Sequence, residues 1–194
     1  HNLKMVFDLS QAFNFTNAQE EDKFQWLEEV DSKKSLEWVE AQNKATFDIL
    51  SKQPIYQDIY DKSLEVYNSK ERIAAPGIYG NYIYNFWQDQ TNPRGILRRT
   101  TKADYLGGDP KWEIVLDIDE LSKKDNIKWV YKGSDALYPK YERFLVNLSN
   151  GGGDAVTVKE FDAVKEEFVK DGFVLPESKG SASYYDENTL IVST

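Results

Sequence analysis

Tyr79-Gly80-Asn81-Tyr82-Ile83-Tyr84-Asn85-Phe86-Trp87 is where the chain changes its hydrophobic period from about 3.6 to about 2. Before Ala74-Ala75-Pro76-Gly77 the apolar residues are spaced as on helices; from Tyr79 onward they alternate as on strands. The break predicts an α+β chain, helices first and antiparallel hairpins after. Gln88 to Gly95, carrying Asn92-Pro93-Arg94-Gly95, reads as a turn, and Ile96 to Thr101 as the returning strand. A polar loop through Leu106-Gly107-Gly108-Asp109-Pro110 leads to a further strand, Trp112 to Asp117.

Upstream, Phe24, Leu27 and Val30 predict one short helix, and Leu36, Val39, Phe47 and Leu50 a second. Asp31 or Ser32, between them, can accept hydrogen bonds from the free N–H groups that open the second helix. Pro54 suits the first turn of a third helix, which would turn Ile55, Ile59 and Leu64 inward and carry Tyr56, Tyr60 and Tyr67 along its flank.

Downstream the hairpin construction recurs. Lys128 to Lys132 reads as a short strand, Tyr141 to Ser149 as a longer one, Asn150-Gly151-Gly152-Gly153 as a turn and Ala155 to Phe161 as its partner. Ser183-Tyr184-Tyr185, a turn at Asp186-Glu187-Asn188 and Thr189 to Ser193 begin a third copy. Tyr82, Tyr141 and Tyr185 mark comparable places, separated by roughly 45 to 60 residues, near the length of a β-propeller blade. The copies share pattern and not identity, so a plain β-meander is the alternative. About two to three blades cannot close a ring, which leads us to expect an incomplete propeller with an apolar strand edge that a longer chain would cover. The expected organisation is an N-terminal extension or tag remnant over 1–20, a helical segment over 21–71 and the incomplete propeller over 72–194.

The 194 residues include twelve Tyr, ten Phe and five Trp, too aromatic a content for a disordered acidic polymer. A net charge of −9 disfavours attraction to a phosphate backbone, so nucleic acid is not an expected partner. No run approaches the length needed to span a bilayer, so no membrane partner is expected either. There is no cysteine, which removes disulfides and thiolate chemistry and leaves cytoplasm and periplasm equally open.

Asp22-Lys23-Phe24-Gln25-Trp26-Leu27-Glu28-Glu29-Val30, followed by Leu36-Glu37-Trp38-Val39-Glu40-Ala41-Gln42-Asn43, resembles the N-terminal signature of the prolyl oligopeptidases. The resemblance continues through Trp112 to Leu121, Tyr141 to Ser149 and Gly152-Gly153-Asp154-Ala155. Phe161-Asp162 and Phe168 to Lys179 are similar to the bacterial branch in particular. It implies helices that pack on a C-terminal α/β-hydrolase domain and a seven-bladed propeller that caps the active site. It also implies hydrolysis of short peptides after proline by a Ser-Asp-His triad held in the hydrolase domain. On this reading the chain is a fragment, silent by itself, whose partners in the parent are peptide substrate and the missing hydrolase domain. The segment Pro176 to Ser183, at the start of a blade, would face the substrate funnel through Glu177, Lys179 and Ser181.

The chemistry legible in single residues agrees with that silence. The only histidine is His1, read as a tag remnant or processing scar, and no Gly-x-Ser-x-Gly occurs, so no complete serine hydrolase is encoded. Gly133-Ser134 and Gly180-Ser181 read as turn serines. Asp117, Asp119 and Glu120 form the densest acidic cluster, a cation ligand set on one reading and the capped start of a helix on the simpler one. Asn150 to Asp154 lacks the Gly-Lys-Ser/Thr ending of a phosphate loop and reads as a hairpin turn. Arg94, Arg98, Arg99 and Lys102 form a local basic patch, able to grip a carboxylate or simply a solvated face. Asn14-Phe15-Thr16 and Asn147-Leu148-Ser149 match the glycosylation sequon, a pattern common by chance. No cofactor and no metal are expected. The alternative function is an autonomous interaction module that binds a peptide or its own copy through exposed strand edges. A carbohydrate-binding module is supported only by the aromatic count.

Overall fold

Ser32 decides where the first long helix begins. In the computed structural model, which describes residues 22–69 and 75–193, its hydroxyl accepts from the backbone N–H of Ser35, and α1 runs over Lys33–Leu50. Pro54 opens α2, Pro54–Asn68, as its fixed φ and missing donor suit a first turn. Ahead of α1 the expected short helix is a single 3-10 turn, Gln25–Glu28, and Val30 is 76% exposed. Glu29 at its end is not helical, so the Phe24-Leu27-Val30 stripe never forms. Trp26 meets Trp38 edge-on at 6.1 Å and Phe24 tilts against Trp38 at 6.2 Å. Ile55, Ile59 and Leu64, expected to point inward, are exposed, and no described residue of α2 is buried, so its apolar stripe meets no core within the described residues. The extension over 1–20, His1, the Asn14 sequon, the 70–74 segment and Thr194 lie outside the described residues.

One compact unit ends at Ser63 and the other begins at Leu64. The second holds all the strands found among the described residues. β1 (Gly77–Tyr79), β2 (Tyr82–Trp87), β3 (Ile96–Thr101) and β4 (Glu113–Asp117) form a sheet in chain order. Tyr79 to Trp87 is thus two strands and not one: Gly80 takes φ +61 in a tight turn, so that Tyr79 pairs with Tyr82. The expected polar loop after β3 contains a short helix, α3 (Lys102–Leu106), capped by the Thr101 hydroxyl.

Asp117 ends β4 and caps α4 (Ile118–Asp125), its carboxylate accepting from Glu120 N–H at 3.0 Å. A second sheet follows, β5 (Trp129–Ala136), β6 (Arg143–Asn150) and β7 (Val156–Asp162), all antiparallel. The far edge of β7 takes two short partners, β8 (Glu167–Phe168) and β9 (Val174–Ser178). Neither was read from the sequence, since a strand paired over two or three residues needs no hydrophobic alternation. Last come β10 (Ser181–Asp186) and β11 (Thr189–Ser193), paired only with each other.

Two successive meanders of this kind are the form of propeller blades. The core lies between the first two sheets: Tyr84, Leu97, Val115 and Leu116 meet Phe144, Val146, Leu148 and Phe161. Ile118 and Leu121 of α4 and Trp129 complete it. Phe86 stacks on Tyr131 at 4.4 Å, and Tyr79 meets Phe144 edge-on at 5.5 Å.

Candidate functional site

Side chains alternate across β3, so Arg98 and Arg99 leave opposite faces of the sheet. Arg99 is buried. Its Nη1 donates to Ala163 O at 2.7 Å and to Tyr84 Oη at 3.1 Å, and its Nε donates to Glu113 Oε2 at 3.1 Å. Nη2 approaches Glu166 Oε1 at 3.5 Å. Burial opposes the charge, yet the hydrogen bonds with Glu113 and Tyr84 outweigh it and hold the guanidinium more firmly protonated than usual. The Arg99 hydrogen bond pulls Glu113 below the ordinary carboxylate value, while the hydrogen bond shared with Glu113 pushes Glu166 up. Ala163 and Glu166 follow β7, so this cation ties the second sheet to the first.

Arg98 lies between the rings of Trp87 and Trp112, 4.3 Å from each, and its Nε donates to Asn85 Oδ1 at 3.0 Å. Arg94 donates its backbone N–H to Asp119 and its Nη1 to Trp129 O. The expected basic patch is therefore corrected: the pleat and the turn send Arg94, Arg98 and Arg99 to different tasks, and Lys102 opens α3. The acidic cluster is dispersed in the same way, with Asp117 capping α4, Asp119 binding Arg94 and Glu120 pairing with Lys123 at 2.7 Å. Among the described residues, no group of three or more His, Cys, Asp or Glu is arranged to hold a metal ion.

Ser134 accepts from Tyr131 Oη at 2.9 Å, and Ser181 opens β10. Asn147 sits on β6 and donates to Gly133 O. Gly151 and Gly152 take positive φ in the β6–β7 turn, a hairpin and no phosphate cradle. Glu177 lies on β9, Lys179 in the connection and Ser181 on β10, so the three candidate funnel residues are split between an edge strand and the next hairpin.

A polar cleft lies elsewhere. A cleft of about 740 Å³ opens between the 137–142 loop, the 169–172 segment and the β10–β11 turn. Arg143 and Glu160 form its wall, and Glu177, Lys179 and Ser181 do not line it. Arg143 pairs with Glu160 at 3.6 Å and with Asp162 at 3.4 Å. Glu160, only 7% exposed, also accepts the Tyr184 hydroxyl at 2.7 Å. Burial first, then the hydrogen bond and charge of Glu160, push the Tyr184 hydroxyl well above the ordinary phenol value. Two acids in the Lys159-Glu160-Phe161-Asp162 run of a buried strand were the available signal, and sequence reasoning passed over it.

Residues 8–194 match the family described as "Prolyl oligopeptidase, N-terminal beta-propeller domain". The chain belongs to the prolyl oligopeptidase family. An uncharacterized peptidase of Sinorhizobium fredii is 46% identical over 169 residues, 87% of this chain and 23% of that protein. A prolyl endopeptidase of Elizabethkingia miricola is 29% identical over 138 residues, 69% of this chain and 17% of that one. The structure of a post-proline cleaving enzyme from Rickettsia typhi superposes with a TM-score of 0.77 at 31% identity, covering 86% of this chain and 25% of that one. The chain thus spans about a quarter or less of the prolyl oligopeptidase relatives it matches, and its architecture is helices followed by a partial β-propeller.

Proposed function

We propose that these residues are the leading helices and first blades of a prolyl oligopeptidase-type serine peptidase that cleaves short peptides after proline. The match over residues 8–194 to the propeller domain of that family carries the reading. The name of the Rickettsia typhi relative, a post-proline cleaving enzyme, supplies the bond. In the whole peptidase the peptide substrate passes the propeller, the hydrolase domain supplies the nucleophile and base, and this chain contributes no triad residue. Glu177, Lys179 and Ser181 remain our proposal for side chains that face the peptide. Cytoplasm and periplasm both suit the peptidase. No helix among the described residues is long and apolar enough to cross a membrane.

Incubating the purified 194-residue chain with a proline-containing chromogenic peptide tests the silence of the isolated piece. No release above blank is expected, and no labelling by a serine-reactive fluorophosphonate. Turnover and labelling that survive removal of contaminating peptidases would overturn the assignment of catalysis to another domain.

One observation favours a second reading, self-association. The outer edge of β11 has no strand partner among the described residues, with Ile191 58% and Val192 48% exposed. Light scattering that shows a dimer, and a monomer once Ile191→Lys is introduced, would support pairing through that edge; a wild-type monomer would exclude it.

A further inference from the structure

The two seams between successive sheets are built from different material. Between the first and second sheets lie the aromatic and aliphatic residues of the core, with Arg99 fastened across them. None of that buried core comes from β10 or β11 among the described residues. On the other face of the second sheet, Leu145 and Val158 are buried beside Glu160. Among the described residues, the hydrogen bonds from the β10–β11 hairpin to residues 129–173 all pass through Tyr184. Tyr184 N–H donates to Asp135 Oδ2 at 3.1 Å, Tyr184 Oη donates to Glu160, and its ring meets Phe173 at 6.4 Å. Glu160 is itself held by Arg143, and both stand on the wall of the cleft. A two-stranded ribbon is marginal by itself, so its position depends on what it is tied to.

We infer that Tyr184 is the latch that holds the β10–β11 hairpin to the second sheet, and that this seam yields before the one between the first and second sheets. The thin seam offers two buried apolar side chains and a charged wall, where the other offers a continuous core. Local opening follows the least-buried interface, and here it widens the Arg143–Glu160 cleft without disturbing β1 to β7. The inference concerns the fold of this chain and stands apart from the peptidase reading.

Hydrogen exchange read by mass spectrometry on the 194-residue chain tests it, with Tyr184→Phe compared to Tyr131→Phe. The control also removes a tyrosine hydroxyl, one bonded to Ser134 inside the second sheet. Tyr184→Phe is expected to speed exchange over 181–193 by about tenfold or more, as befits a lost hydrogen bond to a charged acceptor, and to leave 77–117 and 143–162 unchanged. Tyr131→Phe is expected to leave 181–193 unchanged. The inference is overturned if Tyr184→Phe has no effect on 181–193, or if it speeds all three segments alike. Should that variant not fold, the wild-type chain still decides, since exchange over 181–193 as slow as over 143–162 contradicts a weak seam.

Discussion

Replacing Arg99 with methionine keeps the length of the side chain and removes a charge that four groups have been arranged to receive. Ala163 O and Tyr84 Oη each lose a buried partner, and Glu113 and Glu166 lose the cation between them. The expected cost is about 2–3 kcal/mol, measured as a lower urea midpoint with unchanged slope. Tyr184 carries the second prediction. Glu160 from β7, Arg143 from β6 and Asp135 from β5 face it, and its ordinary value is 10.0. A folded-state value raised above that means the stabilisation is complete below about pH 10 and is lost as pH rises through the folded value. Stability is therefore expected to fall with alkali, and Tyr184→Phe to flatten that fall, as followed by circular dichroism across an alkaline titration. Neither role was legible beforehand. Arg98 and Arg99 are identical letters side by side, and only the pleat, which sends one between two tryptophans and the other into the core, tells them apart.

Elements were legible wherever the chain's own local chemistry fixed them. Ser32, Pro54 and Asp117 start their helices as the sequence leads one to expect, and Asn92 to Gly95 turns the hairpin. Gly95 shows how tightly that turn is specified. It takes φ +95, its carbonyl accepts from Ile118 N–H, and a Cβ there would collide with the Phe86 ring. Gly95→Ala is expected to cost more than about 2 kcal/mol by thermal unfolding, through strain and overpacking together. Asp117→Ala removes only a cap and is expected to cost about 1 kcal/mol. What the sequence did not disclose were elements that depend on distant partners. β8 and β9 exist because the edge of β7 is there to receive them, and the α2 residues expected to point inward are exposed because their burial was never a local property.

For the molecule as a whole, the change of period at Tyr79 and the spacing of Tyr82, Tyr141 and Tyr185 led to repeated antiparallel units, and sheets of that order are present. The family was legible from the Trp-Leu-Glu-Glu-Val block and its successor, and residues 8–194 match its propeller domain. The cleft beside Arg143 was not, because it forms between a loop of the second sheet and the turn of a later hairpin, far apart in sequence. The β10–β11 turn supplies one of its walls through Tyr185, Asp186, Glu187 and Asn188. We propose that this chain is the propeller side of a post-proline peptidase whose chemistry resides in another domain. The most direct measurement is the rate at which the natural-length polypeptide carrying these residues cleaves short peptides with and without proline, with the isolated 194-residue chain beside it. Cleavage after proline by the former and none by the latter is the expected result. Cleavage by the isolated chain, or a natural-length protein indifferent to proline, would overturn this proposal.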